Sequence, residues 1–255
     1  MVYISAAELL AKRLGNRQPP RWRSAVISFR DRKGSDGLMR ALRAEPILDN
    51  IFYGQEAFAE SPFVFEANVQ GEKVGLITRC IWGGPQAAIL IEELACLGVK
   101  YLIGYGSAGA IDSSLQLGEQ VVASSAIASD GTSKAYAQSE LIEADADLMR
   151  LVLESARKFR CEIIPVRAIT VDTFYRETKD LVSIWRRQGA QIVNFDVSPF
   201  YAVSKVYNIK SIWISHVSDR LVGKWENWFW DRDKITRLSE MICTELCSLI
   251  RALPQ

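Results

Sequence analysis

The chain has 255 residues, and 49% of them are hydrophobic, which is enough to bury one large continuous core. Its 31 Lys and Arg residues nearly balance 30 Asp and Glu residues, so no broad positive field is available to hold nucleic acid or an anionic membrane. We therefore expect one domain over residues 1–255 that binds a small, neutral or weakly charged ligand.

The patterns along the chain alternate between strands and helices. An apolar run at residues 25–29 predicts a strand, and the charged, glycine-bearing stretch after it predicts a loop before a helical pattern at 38–42. Two β-rich runs flank Gln70 and Gly71, which is typical of antiparallel strands joined by a tight hairpin. Further on, the patterns predict helices at 83–98, 145–159, 198–208 and 233–253, and strands at 99–106, 118–128, 162–171, 191–196 and 211–219.

This alternation predicts an α/β fold with a mixed central sheet and helices on both faces. No apolar run reaches the roughly 18 residues that cross a bilayer, and no signal segment begins the chain, so we expect a cytoplasmic protein. Ligands of such sheets bind beyond the carboxyl ends of the strands. That rule selects the loops at 29–37, 104–109, 172–175 and 218–219, with 194–198 beside them.

Two acidic residues follow predicted strands in these loops. Asp219 ends an apolar strand, where partial burial would raise its pKa and let it donate a proton to a departing base; the alternative is a helix cap. Asp196 is expected to accept hydrogen bonds from vicinal sugar hydroxyls or to cap the next helix, and the two roles are compatible. Phe174 and Phe195 are expected to stack on a planar base or to be plain core residues.

The remaining candidates narrow the chemistry. His216 is the only histidine and lies inside a predicted strand, so we expect a buried, hydrogen-bonded core residue. No cluster of His, Cys and carboxylates has metal-ligand spacing, and we expect no metal. The aromatic stretch at 225–230 predicts a lid, a wall of a base pocket or a subunit contact.

Seven motifs then stand in a recognisable order: GGP, GSAGAI, LGEQVV, DGTS, DTFY, VNFDVSPFYAV and VSD. Together they resemble the nucleoside phosphorylase superfamily, which includes purine nucleoside phosphorylases, uridine phosphorylases and nucleosidases. The resemblance implies a single α/β domain with a mixed, partly barrel-like sheet flanked by helices. It also implies a homo-oligomer, a dimer or a trimer of dimers, that cleaves the N-glycosidic bond of a nucleoside without a cofactor, with phosphate as a possible co-substrate.

The resemblance also assigns roles to residues. Phe174 falls where the family stacks the base, Asp196 where it holds the ribose hydroxyls, and Asp219 where purine-acting members contact the five-membered ring of the base. Phe195 falls on a methionine of the family pattern, and Ser107 on a phosphate contact. The expected substrate-binding residues also include Gly106, Gly109, Asn194 and Ser218. The residues after DTFY differ from those of the pyrimidine-acting members, which favours a purine-type base.

Several phosphate ligands of the family are replaced. Gly104 stands where phosphorolytic members have an arginine, and Glu66 aligns with a second one, although an added carboxylate would repel the phosphate dianion. Tyr3 stands where many members contribute a histidine to the sugar 5′ position. These departures favour water as the nucleophile, with Asp31 as a candidate general base.

Two alternatives stay open. A true phosphorylase would need an anion site rebuilt from Arg30, Arg32, Lys33 or Arg79. A catalytically silent member of the family would bind a nucleoside without cleaving it. A dinucleotide-binding oxidoreductase is disfavoured, because a β-run rather than a helix follows the glycines at 104–109.

Overall fold

The computed structural model describes residues 3–30, 32–47, 51–54, 64–158, 162–229 and 231–253. The strands are β1 (Ser24–Ser28), β2 (Glu45–Pro46), β3 (Val64–Val69), β4 (Glu72–Ile77), β5 (Tyr101–Ala110), β6 (Gln120–Ala128), β7 (Leu141–Glu143), β8 (Ile163–Thr170), β9 (Ile192–Asn194), β10 (Lys210–Val222) and β11 (Lys224–Asn227). The helices are α1 (Ala6–Leu14), α2 (Arg32–Leu42), α3 (Gly84–Cys96), α4 (Gly131–Tyr136), α5 (Ala146–Lys158), α6 (Lys179–Arg187), α7 (Val197–Val206) and α8 (Arg232–Ala252). None of these helices is both long and apolar enough to cross a bilayer.

All the strands belong to one mixed sheet that closes on itself. Its order runs β11-β10-β6-β8-β9-β5-β1-β4-β3-β2, β7 pairs with β6, and an additional parallel pairing joins β10 back to β5. Strands β5, β10, β6, β8 and β9 therefore form a five-stranded barrel, and β1, β4, β3 and β2 extend from it. The expected mixed, partly barrel-like sheet flanked by helices is confirmed.

The predicted hairpin is present between β3 and β4. The two strands pair antiparallel, and the turn residues Gln70 and Gly71 both have positive φ values, 55° and 90°. Positive φ at both central residues is the geometry of the two-residue turn whose twist matches that of the strands it joins. The local sequence thus fixes the register of these two strands.

Two predicted loops were wrong in part, and in both cases glycine was the reason. Helix α2 already begins at residue 32, and its Gly37 lies against α8, where an added Cβ would sit 3.3 Å from Cys243 Sγ. The segment 104–109 is not a loop but lies wholly within β5. These glycines permit close packing between elements rather than a turn.

Trp213 of β10 is the side chain that requires glycines in β5. Its indole is fully buried, and a Cβ at Gly104 or Gly106 would lie 2.2 Å or 2.6 Å from an indole carbon. Phe29 and Phe200 pack against the same indole, each with ring centroids 5.3 Å away. The indole therefore fills the space beside β5 that any larger residue at 104 would need.

We expect Gly104→Ala to lower the free energy of unfolding by about 1–3 kcal/mol, because the new methyl group overlaps a fully buried ring. Gly131→Ala is the matched control, since a Cβ there would meet only Asp172 Oδ2, at an ordinary 3.6 Å. Urea denaturation of both variants measures the difference. Equal stability of the two variants would contradict this account of β5.

Candidate functional site

A cavity of about 470 Å³ opens beside β5, β9 and β10. A β-bulge explains how β10 lines it: the register with β5 shifts between Val217 and Asp219. In a regular strand, residues three apart face opposite sides, but the bulge resets this alternation, so that His216 and Asp219 both face the cavity. The expected site residues that line it are Ser107, Gly109, Phe174, Asn194, Phe195, Asp196, Ser218 and Asp219.

One expected site residue does not line the cavity, and another is not among the described residues. Gly106 does not line it, because its Cα faces the Trp213 indole on the other side of β5. Asp31, the candidate general base, lies outside the described residues. Strand β10 also continues past Asp219 to Val222, so that Asp219 lies within a strand and does not cap a helix.

Asp196 stands at the N-terminus of α7, yet its side chain does not cap that helix. Its Oδ1 accepts the backbone N–H of Gly83 at 2.6 Å. Asn194 shapes the turn before it, with Oδ1 accepting from Thr170 Oγ1 at 3.1 Å and from the Val197 N–H at 3.3 Å. Burial raises the pKa of Asp196 to about 7, against the opposing effect of the Gly83 hydrogen bond. The carboxyl therefore titrates near neutral pH.

Asp219 is buried between two donors. Ser218 Oγ donates to its Oδ1 at 2.9 Å, and Trp225 Nε1 donates to its Oδ2 at 3.0 Å. Burial raises the pKa of Asp219, and these two hydrogen bonds oppose the shift. An indole N–H only donates, so Oδ2 is held as an acceptor, whereas the Ser218 hydroxyl also lies 3.3 Å from the Ala108 carbonyl and can turn toward it. Oδ1 is therefore the oxygen that can carry a proton.

Glu177 is a third acid in the cavity wall, and sequence reasoning missed it. Burial raises its pKa to about 7, and the nearby Asp219 carboxylate raises it further. It follows directly on the 3₁₀ turn Phe174–Arg176 that carries the expected base-stacking residue. The sequence did contain a signal for this residue, since an acidic residue lies close to the DTFY motif.

Aromatic rings form the apolar walls. Phe174 meets Phe195 edge to face, with ring centroids 5.9 Å apart, and Phe229 at 6.4 Å, while Trp82 stacks near Phe195 at 6.4 Å. A base held between two rings would need parallel faces about 7 Å apart, whereas Phe174 and Phe195 are inclined at 72° to each other. The two rings instead form adjoining walls. Phe229 supports the expectation that the 225–230 stretch contributes to the pocket wall.

His216 is buried, as expected, but the expected hydrogen bond is not found among the described residues. Neither Nδ1 nor Nε2 has a partner among the described residues, although the side chain lines the cavity and is 1% exposed. Burial, together with the positive charge of Arg30, lowers the pKa of His216 to about 3, so that the imidazole is neutral. Arg30 Nε and Asn194 Nδ2 are likewise buried without a described partner. Each buried polar group without a hydrogen-bond partner lowers the folding stability by about 1–3 kcal/mol. A group of such atoms around a cavity is typical of a site that binds a ligand.

The replaced phosphate ligands have other surroundings in this chain. Glu66 accepts hydrogen bonds from Trp22 Nε1 at 2.9 Å and Lys73 Nζ at 2.6 Å, away from the cavity. Arg79 and the fully exposed Tyr3 do not line it either. Of the cationic side chains in the described part of the chain, only Arg30 lines the cavity, and that part holds no cluster of three or more potential metal ligands.

The family model described as "Phosphorylase superfamily" matches residues 34–251. The chain belongs to this superfamily. A guanosine phosphorylase of Halorubrum lacusprofundi is 28% identical over 142 residues, 55% of this chain and 59% of the relative. A uridine phosphorylase of Thermococcus kodakarensis is 28% identical over 145 residues, 51% of this chain and 52% of the relative. The aligned segments thus span little more than half of these two relatives.

The superfamily fold also appears in a solved structure. The 5′-methylthioadenosine/S-adenosyl homocysteine nucleosidase of Campylobacter jejuni superposes with a TM-score of 0.74 and 16% identity, covering 91% of this chain and 100% of that one. At this identity the likeness establishes the fold only. Both the expected family resemblance and the expected fold are confirmed.

We expect the ligand-free protein to lose stability as the pH rises, because folded Asp196 binds its proton more tightly than the unfolded chain does. The stabilisation is complete below the unfolded pKa of 3.8 and is lost as the pH rises through about 7. Asp196→Asn cannot ionise, so its free energy of unfolding should exceed that of the wild type at about pH 8, by a margin that shrinks at about pH 5. Urea denaturation at both pH values measures this margin. A margin independent of pH would contradict the buried acid.

Proposed function

We propose that this protein cleaves the N-glycosidic bond of a purine-type nucleoside. One observation carries the proposal: Asp219 and Asp196 line the same aromatic-walled cavity, the first in β10 and the second at the start of α7. Cleavage needs one acid at the leaving base and hydrogen-bond acceptors at the sugar. The family membership and the names of the relatives support the same class of reaction.

Asp219 is the proposed general acid. Burial favours its neutral form, and Oδ1 carries the proton, since Trp225 holds Oδ2 as an acceptor. As the glycosidic bond breaks, the electron pair moves onto the base, and Oδ1 transfers its proton to a ring nitrogen of that base. Protonation of a leaving group in the transition state typically contributes a factor of about 10²–10⁴.

Asp196 is the proposed ligand of the sugar hydroxyls. Its Oδ1 accepts the hydrogen bond from Gly83 N–H, and Oδ2 is the oxygen proposed to accept from the sugar hydroxyls. Two hydroxyl donors would favour the ionised form and reverse the effect of burial on its pKa. A carboxylate beside the sugar also stabilises the positive charge that develops on the anomeric carbon.

The walls favour a flat, largely apolar base. Phe174, Phe195 and Phe229 provide ring faces and edges, and Glu177 and Asp219 provide the polar groups of that region. Two carboxyl groups with raised pKa values offer both donor and acceptor oxygens, which suits the ring nitrogens and exocyclic groups of a purine. As in the family generally, the reaction needs no cofactor, and we expect a homo-oligomer.

We expect the wild-type protein to release bases from purine nucleosides and not from uridine. Asp219→Asn keeps the shape of the side chain but has no proton to give, so its kcat should fall by about 10²–10⁴-fold. Incubation with a nucleoside panel, with and without phosphate, and mass identification of the released bases measures both effects. Asp147→Asn, a surface acid bound to Lys210, is the control.

Three results would contradict the proposal. Full activity of Asp219→Asn would show that Asp219 is not the general acid. Rapid cleavage of uridine would contradict the proposed preference for purines. Tight nucleoside binding without release of any base would make the protein a silent binding member of the family.

We expect Trp225→Phe to extend activity to higher pH. The variant keeps a ring beside Phe229 but removes the N–H bonded to Asp219 Oδ2, which normally stabilises the ionised acid. The pKa of Asp219 should rise, and the alkaline limb of kcat/KM should move up by about one pH unit. Trp228→Phe is the control from the same stretch, because its indole lies against Lys234. An unmoved limb would contradict the proposed location of the proton.

A further inference from the structure

The proposed function leaves one end of the cavity without a role. Ser107 and His216 stand in register on the parallel strands β5 and β10, and both line the cavity. Paired strands lie about 4.8 Å apart, so the two side chains face the same ligand volume. In β10, His216 precedes Asp219 by three residues, and the bulge at Ser218 lies between them.

The His216 imidazole lacks hydrogen bonds among the described residues. It is buried, it faces the cavity, and both of its ring nitrogens are without partners in the described part of the chain. A neutral imidazole has one donor nitrogen and one acceptor nitrogen. A water molecule also donates and accepts, and it can satisfy a group of this kind.

The charges around the cavity favour water over phosphate. Three acidic residues line it: Asp196, Glu177 and Asp219. Among the described lining residues, Arg30 is the one that carries a positive charge. A phosphate dianion normally takes paired guanidinium groups, whereas Arg30 contributes the single guanidinium among the described lining residues. A neutral nucleophile avoids both difficulties.

We propose that His216 is a catalytic residue that binds the nucleophilic water and accepts its proton. The inference rests on the proposed function, since it names the nucleophile and the base for that reaction. The water oxygen forms a bond to the anomeric carbon as the N-glycosidic bond breaks, its proton passes to the acceptor nitrogen of His216, and Asp219 gives its proton to the base. The imidazolium then returns its proton through solvent to Asp219, so that the products are the free base and the free sugar.

Burial and the charge of Arg30 keep this base unprotonated. Burial is the larger cause, and the Arg30 charge adds to it, so the acceptor lone pair is present before the reaction begins. A weak base is sufficient, because water becomes strongly acidic as its oxygen bonds to a cationic sugar. The same charge expels the proton afterwards, and the imidazole returns to its neutral form.

The test compares His216→Ala and His216→Gln with the wild type in phosphate-free buffer, on a nucleoside that the wild type cleaves. We expect kcat to fall by about 100-fold or more in both variants, since neither accepts a proton, while the dissociation constant of the nucleoside stays within about threefold. Added imidazole should restore part of the rate of His216→Ala only, because only that variant has room for it. In ¹⁸O-labelled water, the sugar released by the wild type should carry the label.

Ser215→Ala is the matched control. Ser215 is the neighbour of His216 in β10, is equally buried and also lacks a described partner, but it does not line the cavity. Its kcat should equal that of the wild type. Nucleoside affinity and thermal unfolding of all variants separate loss of the base from loss of the fold, and His216→Gln provides the test if His216→Ala does not fold.

Each failure has a distinct meaning. If the wild type releases no base, the proposed function is wrong, and this inference is wrong with it. If the wild type releases base and His216→Gln keeps its kcat, only the role of His216 is wrong. If release requires phosphate and yields a sugar phosphate, the nucleophile is not water and the inference is overturned.

Discussion

The parallel pairing of β5 with β10 is the contact on which the site depends. It closes the barrel, and the buried Trp213 indole of β10 packs over Gly104 and Gly106 of β5. The bulge at Ser218 then brings His216 and Asp219 to the same side. Without this pairing, the Asp219 carboxyl group and the His216 imidazole opposite Ser107 would not share a cavity.

Burial gives the cavity its chemical character. Water is excluded around Asp196, Glu177 and Asp219, so their pKa values rise, while the same exclusion lowers the pKa of His216. Acids with raised pKa values destabilise the folded protein near neutral pH, and a histidine with a lowered pKa destabilises it below the unperturbed value of 6.5. The hydrophobic core of the barrel offsets this cost, and the cavity keeps groups that can exchange protons with a ligand.

Sequence reasoning found most of this fold because its patterns were local. Alternating apolar runs, the Gln70-Gly71 turn and the motif order predicted the mixed sheet and eight of the lining residues. It failed where distant packing decided the outcome. Nothing local shows that Gly104 and Gly37 serve close contacts across the core, that β10 is bulged at Ser218, or that the His216 imidazole has no hydrogen-bond partner within the described ranges. Glu177 was missed because its burial depends on the fold around it.

The indole at position 213 also limits which residues position 104 accepts. An arginine at 104 would collide with that ring, and a smaller residue at 213 would by itself leave a hole in the barrel. Each single substitution is therefore expected to destabilise the fold, and the effects of substitutions at the two positions should not be additive. Packing in the barrel thus accounts for glycine at 104 without reference to the chemistry of the cavity.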